Sequence, residues 1–319
     1  MQTMKHAIVR FRQVLLCGLV ASLAVPATTG CRRSPETQAA GRLFGVSLQS
    51  MDNPVFGEIQ AGLQAVIEAR GDRFVALDAQ FSSLKQKNDL TELLQRQPAA
   101  IFINPVNWED IKGTLIEAKR RNVPVIIVDA PVNDSDLVLC QVVSDNVEAG
   151  RLACEELARV NPQARIVILH LSLNKACIDR VAGFRQEMAR HPGMQILDTQ
   201  DGKGSAGTAR PVMRGLLVRW PDLDAAFPIN DPSAMGAIAA IEEAGRAGQV
   251  TVVTVDGSHD GAAAVLAGKL HSTSAQFPSE IGRLAAEAAY DHLAGKPVTR
   301  NIVVPVKLIT KENAASILK

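Results

Sequence analysis

Short apolar runs alternate with helical segments along most of the chain, and six of these runs stop at a polar residue. They are Leu43–Gln49 (leading into Asn53-Pro54-Val55-Phe56), Ile101–Asn104, Val125–Asp129, Ala225–Asn230, Val250–Asp256 and Ser272–Gln276. A continuous apolar run bounded by polar or turn residues suits a strand of a parallel sheet covered on both faces. Segments such as Gly57–Arg70, Ser82–Gln95 and Trp108–Arg121 suit the intervening helices. In open parallel sheets, ligands bind outside the carboxyl ends of the strands. Polar side chains at that edge reach a ligand, whereas inside the strands they would be buried without partners. The pattern predicts a cleft lined by amides, carboxylates and an arginine, suited to a neutral, hydroxyl-rich molecule.

A chain of 319 residues is too long for one ordinary core and implies two lobes. The first series of strands comprises Leu43–Gln49, Arg73–Asp78, Ala99–Ile103 and Val125–Val128, and reaches about Ser144. The second begins with a helix over Asn146–Val160 and a strand over Arg165–His170. It then alternates to a last helix over Ser279–Ala294 and a short run Ile302–Val304. The expected fold is α/β, with two similar doubly wound parallel-sheet lobes, a hinge and a cleft between them. Residues 42–144 plus 277–305 form the N-terminal lobe, and 145–276 plus 306–319 the C-terminal lobe. The crossings near Ser144, Gln276 and Pro305 are then tight hinge candidates.

Residues 1–31 have the layout of an export signal. Lys5, Arg10 and Arg12 precede the apolar run Val14–Val25, and small residues lead to Gly30-Cys31. The run is shorter than the roughly 20 residues a membrane-spanning helix needs. Gly30-Cys31 resembles the lipobox of bacterial lipoproteins, although Thr28 stands where that motif usually has leucine. Cys31 is therefore expected to be acylated, with residues 32–41 as a polar tether. Cys17 belongs to the signal, which leaves Cys140, Cys154 and Cys177 in the folded part. They have no CxxC or metal-ligand spacing, and an odd set leaves at least one thiol unpaired.

Other chemistries find little support. A net charge of +1 gives no reason to expect nucleic acid. Gly202-Lys203-Gly204-Ser205-Ala206-Gly207 matches the glycine pattern of a dinucleotide turn, but it lies in the second series, far from the first strand. It reads as a glycine-rich loop. His170 and His259 lack partners at metal-ligand spacing. No G-x-S-x-G elbow or nucleophile–base pair can be assembled. Neither catalysis nor a cofactor or metal is expected. Aromatic residues make up only 4% of the chain, so Phe56 and Trp108 at strand ends are notable, whereas Phe184 reads as core.

Eight stretches in register carry a resemblance to a known family. They are Asp52-Asn53-Pro54-Val55-Phe56, Ile103-Asn104-Pro105, Ile127-Val128-Asp129, Val143-Ser144-Asp145-Asn146, Arg180-Val181-Ala182-Gly183-Phe184, Ile229-Asn230-Asp231, Val255-Asp256-Gly257 and Ala275-Gln276-Phe277-Pro278. Their order and spacing resemble the periplasmic sugar-binding proteins of ABC transporters, in particular the ribose binders, from about Leu43 to the C-terminus. The resemblance implies a type I periplasmic-binding-protein fold and ligand contacts at Asn53, Phe56, Asn104, Asp129, Arg180, Asn230, Asp256 and Gln276. Phe56 would stack on the sugar face. The side-chain types fit, because a hydroxyl both donates and accepts and so takes carboxylates, guanidinium and amides around it. Departures fall at Ala130, Val55, Gly204 and Gln49, where ribose binders carry an arginine, two rings and a small hydroxyl residue. They imply a roomier, less cationic pocket. The implied partners are a monosaccharide or polyol and a membrane permease, with membrane contact through the lipid anchor only and the protein a monomer. A sensor module feeding a chemoreceptor or histidine kinase is the alternative.

Overall fold

A computed structural model describes residues 41–318. The expected signal segment, Cys31 and nearly all of the tether lie outside the described residues.

The first lobe takes its strands from β1 (Leu43–Leu48), β2 (Arg73–Asp78), β3 (Ala100–Ile103), β4 (Val125–Asp129) and β5 (Cys140–Ser144). The second uses β6 (Arg165–His170), β7 (Gln195–Asp201), β8 (Ala225–Pro228), β9 (Thr251–Asp256) and β10 (Ser272–Ala275). The chain then returns with β11 (Asn301–Val304) to the first sheet and β12 (Lys307–Ile309) to the second. The strand orders are β11-β5-β4-β3-β1-β2 and β12-β10-β9-β8-β6-β7. All pairings are parallel except that of β12 with β10. Three connections pass between the sheets: Ser144 to Asn146, Gln276 to Pro278, and Pro305 to Val306.

The helices are α1 (Pro54–Glu68), α2 (Ser83–Gln95), α3 (Lys112–Arg120), α4 (Asn146–Val160), α5 (Lys175–Met188), α6 (Ala206–Arg219), α7 (Asp231–Glu243), α8 (His259–Leu266) and α9 (Pro278–Leu293). Successive strand residues face opposite sides of the sheet, so each apolar run feeds two cores. Phe102, Ile126 and Val128 pack with residues of α1 and α9. Ile101, Ile103 and Ile127 pack with residues of α2 and α3. The second sheet divides in the same way, Phe227 and Val253 facing α4 and α5, and Ala226 and Val252 facing α6 to α8. Phe184 is wholly buried and stacks on Phe227 at 4.4 Å between ring centroids.

Helices meet in backbone contact in both lobes. A Cβ on Gly62 would stand 2.2 Å from the Ser279 carbonyl oxygen, and one on Gly282 2.2 Å from that of Ile59, so α1 and α9 meet there. A Cβ on Gly150 would lie 1.8 Å from the Arg180 carbonyl oxygen, and one on Gly183 1.9 Å from that of Val147. Only glycine permits that approach of α4 and α5, and it fixes the height and rotation of Arg180.

Two strands escape the sequence pattern. No α-helix separates β4 from β5, only a single 3-10 turn at Ser135–Leu137, so the strand–helix alternation gives no signal for Cys140–Ser144. The three residues of β12 are too few to show a period. The expected helix at Trp108–Arg121 begins later, at Lys112, after a turn.

Candidate functional site

Loops at the carboxyl ends of both sheets enclose a slot. Seven of the eight residues expected to meet ligand line it: Asn53, Phe56, Asp129, Arg180, Asn230, Asp256 and Gln276. The slot holds a cavity of only about 30 Å³. It is narrow. A wider hollow of about 450 Å³ lies among the amino ends of β9 and β10. Its buried Glu156 is already held by Arg159 at 2.7 and 2.8 Å and by His271 at 2.8 Å. The hollow therefore lacks the converging free polar groups of the slot.

Local rules place most of the slot's side chains. Asn53 caps α1, its Oδ1 accepting from Val55 N at 3.0 Å, while its Nδ2 reaches Asp256 Oδ2 on the other lobe at 3.4 Å. Asn230 caps α7, accepting from Ser233 N at 3.1 Å and donating to the Gly204 carbonyl at 2.9 Å. Both functions of that amide are thereby engaged. Asp129 and Asp256 end β4 and β9 with φ of +66° and +131°, conformations that L-residues seldom adopt. Strained backbone of this kind is concentrated at functional sites. Phe56 is almost wholly buried in the core shared by α1 and α9, and lines the slot as well.

Arg180 and Asp256 form the centre. Arg180 Nε donates to Asn146 Oδ1 at 2.9 Å, and Nη1 donates to the Ile229 carbonyl at 2.8 Å and to Asp256 Oδ1 at 3.2 Å. Gln276 Nε2 donates to the same Asp256 oxygen at 2.8 Å. Gln276 Oε1 is buried and has no partner. A buried acceptor left in this condition costs about 1–3 kcal/mol, so it favours an incoming hydroxyl donor.

Asn104 is not in the lining. It is fully buried behind the wall, accepting from Gln49 N at 3.1 Å and donating to Asp129 Oδ2 at 3.0 Å. Its geometry is that of a brace for Asp129. Gln86 braces it in turn, donating to the Asn104 carbonyl at 2.8 Å. Trp108 also lies off the slot, its backbone N–H directed at the Leu173 carbonyl of the other lobe at 3.4 Å.

The lining includes residues that sequence reasoning missed: Phe81, Leu171, Asn174, Ala176 and Cys177. Phe81 lies just past β2 at φ +56°, after Asp78 and Gln80, and a ring there adds no hydrogen-bonding signal to the strand end. Asn174 was legible only as a cap, accepting from Cys177 N at the start of α5. The expected extra room is occupied. A Cβ on Gly204 would meet Leu171 Cδ2 at 3.2 Å, and Gln49 and Phe81 reach in from the first lobe. Ala130 is buried and off the lining. The glycine-rich loop forms a wall, with Ser205 capping α6 and Gly204 held by Asn230.

Two buried carboxylates, Asp129 and Asp256, act on the Arg180 guanidinium, and a third, Asp231, adjoins Asp256. Burial pushes the Asp129 carboxyl up to about 6, against the pull of Arg180. Burial also raises Asp256, again opposed by Arg180. Asp231, at the start of α7, is pushed up to about 7 by burial and by the Asp256 charge. Its carboxylate accepts from Ser258 N, Ser258 Oγ and Thr273 Oγ1 at 2.8, 2.6 and 2.9 Å. Such a site disfavours an anion and favours neutral donors. Among the described residues Cys140, Cys154 and Cys177 are all buried and unpaired. The Cys177 thiol in the wall is pushed up to about 12 by burial, which suppresses the reactive thiolate.

Known proteins match this architecture. The chain is 33% identical over 271 residues to the ribose import binding protein of Bacillus subtilis, covering 84% of this chain and 87% of that one. It is 31% identical over 299 residues to the ribose import binding protein of Salmonella typhimurium, covering 93% and 98%. Among solved structures, the periplasmic binding protein component of the arabinose ABC transporter from Shewanella sp. ANA-3, bound to alpha and beta-L-arabinofuranose, superposes with a TM-score of 0.81 at 30% identity. That match covers 86% of this chain and 93% of the other. The periplasmic binding protein domain model matches residues 44–297, and with these relatives it shows that the chain belongs to the periplasmic binding protein family.

Proposed function

We propose that this protein is the solute-binding component of an ABC-type sugar importer, closing its lobes over one monosaccharide or related polyol. The observation that carries this reading is the pattern of hydrogen-bonding groups left over in the slot. Asp129 offers a carboxylate oxygen beyond the one held by Asn104, and Gln276 a buried acceptor without a partner. Arg180 has a second terminal nitrogen beyond Nη1, which is engaged by Ile229 and Asp256. Acceptors and a donor facing a narrow slot suit a compact molecule whose every hydroxyl both gives and takes a hydrogen bond. Relatives named for ribose, apiose and arabinose import support the same class.

The ligand contacts in this reading are Asn53, Phe56, Asp129, Arg180, Asp256 and Gln276, with Asn104 and Asn230 holding the walls. The lobes divide at the crossings near Ser144, Gln276 and Pro305, which act as the hinge. In this reading the slot binds its ligand and releases it unchanged. The partner is a membrane permease. The protein is exported and acts as a monomer, and Cys31 anchors it through acyl chains, on the strength of the basic–apolar–small layout ending at Gly30-Cys31.

A thermal-shift panel of ribose, arabinose, galactose, glucose, xylitol and myo-inositol tests the reading. A ligand that binds only the folded state raises the melting temperature in a concentration-dependent way. At least one sugar or polyol should do so. A flat response to all six would overturn the sugar-binding reading.

A further inference from the structure

Gln49 and Asn174 form a contact that the binding reading alone does not require. Gln49 follows β1 in the first lobe, and Asn174 precedes α5 in the second. They are 125 residues apart, both nearly fully buried, and both line the slot. Asn174 Nδ2 donates to Gln49 Oε1 at 2.9 Å. The other hydrogen bonds that join the lobes away from the crossings are longer, both 3.4 Å: Asn53 to Asp256, and Trp108 N to the Leu173 carbonyl.

The orientation of both amides follows from one backbone group. Cys177 N–H can only donate, and it donates to Asn174 Oδ1 at 3.1 Å in the cap of α5. Asn174 must therefore present its NH2 group to Gln49. Gln49 must answer with its oxygen, which leaves Gln49 Nε2 as a donor with no partner among the described residues. Across the slot the order is reversed. Gln276 gives its NH2 group to the Asp256 carboxylate and keeps its oxygen free. The slot thus has a donor amide at the end of β1 and an acceptor amide at the end of β10.

We propose that Gln49 and Asn174 are a specificity latch: their bond holds the lobes closed and orients Gln49 to donate to an acceptor oxygen of the bound sugar. The inference rests on the sugar-binding reading. Asn174 acts through Gln49 and is a positioning residue, whereas Gln49 touches both the latch and the ligand. A hydroxyl oxygen or the ring oxygen of a cyclic sugar supplies the acceptor.

The test compares wild type with Gln49→Leu, Asn174→Ser, Asn174→Asp and the double variant Gln49→Leu/Asn174→Ser. Serine and aspartate both keep an oxygen to cap α5. Serine is neutral but shorter than asparagine, whereas aspartate places an acceptor against Gln49 Oε1 and favours inversion of the amide. The probe is whichever of ribose, arabinose, galactose, glucose, xylitol and myo-inositol most stabilises wild type. Rapid-mixing kinetics and calorimetry then give kon, koff and Kd. Each single variant should raise koff about tenfold or more with kon nearly unchanged. The sugar-free melting temperatures of the Asn174 variants should stay within about 3 °C of wild type. The double variant should bind no more weakly than Gln49→Leu alone, because residues acting through one contact are not additive. Single variants with unchanged koff, or a double variant with fully additive losses, would overturn the latch while leaving sugar binding intact. A wild type stabilised by none of the six would overturn the sugar-binding reading and the latch with it.

Discussion

Replacing Asp129 with asparagine should make the sugar-free protein more stable at neutral pH while weakening its binding. Asp129 is almost fully buried at the end of β4, and burial raises its carboxyl from 3.8 to about 6. A shift of about two units, at 1.36 kcal/mol each, means that holding the anion in place at neutral pH costs about 3 kcal/mol. The folded chain holds this proton more tightly than the unfolded chain. The stabilisation from the proton is therefore complete below about 3.8 and is lost as the pH rises through about 6. Asparagine is neutral throughout, and its oxygen can still accept from Asn104 Nδ2. It gives up the attraction to Arg180 and also the repulsion from Asp256, both of which are already contained in the shift. After the strain of re-orienting the amide, a net gain of about 1–3 kcal/mol is expected at pH 7.5, and about 2 kcal/mol less at pH 4.5, which lies between the two values. Urea unfolding of both proteins at the two pH values, without sugar, measures it. Calorimetry should show affinity for the best probe sugar falling about tenfold or more, since a charge-assisted acceptor contributes about 1.5–3 kcal/mol. A variant that is no more stable at pH 7.5, or equally changed at both pH values, would refute the burial argument.

The remaining predictions concern other links in the chain from fold to function. Arg180→Ala should weaken sugar binding by at least about 2 kcal/mol in calorimetry, and should also destabilise the fold by about 3–5 kcal/mol, because it strands the buried Asp256 charge. Unchanged urea stability would show that Asp256 finds another partner. Gly183→Ala places a methyl group against the Val147 carbonyl and should cost about 1–3 kcal/mol or more, with weaker binding as α5 and Arg180 shift; thermal melts and titration check both. Cys31→Ala should move the protein from the membrane to the soluble fraction, and equal solubility of the two forms would remove the lipid anchor.

Much of the fold is legible because its signals are local. Runs such as Ile101–Ile103 and Val125–Val128 are buried on both faces of their sheet, and that double burial demands continuous apolar sequence. The polar residues that end them stand at the sheet edge, where Asp129, Asp256 and Gln276 meet the slot. Caps are local too, since Asn53 and Asn230 sit beside the helices they start. Strand β5 lacks that local context, and its pairing with β4 and β11 is decided by the sheet.

The sequence by itself therefore determined the α/β architecture, the two lobes and the edge at which their polar residues gather, because periodicity and capping act over a few residues. Only the tertiary structure decided which of those polar residues face the slot. It turned Asn104 into a brace, engaged both ends of the Asn230 amide, and joined Gln49 to Asn174. An amide can give or take a hydrogen bond. Which it does is set by neighbours that arrive from distant parts of the chain.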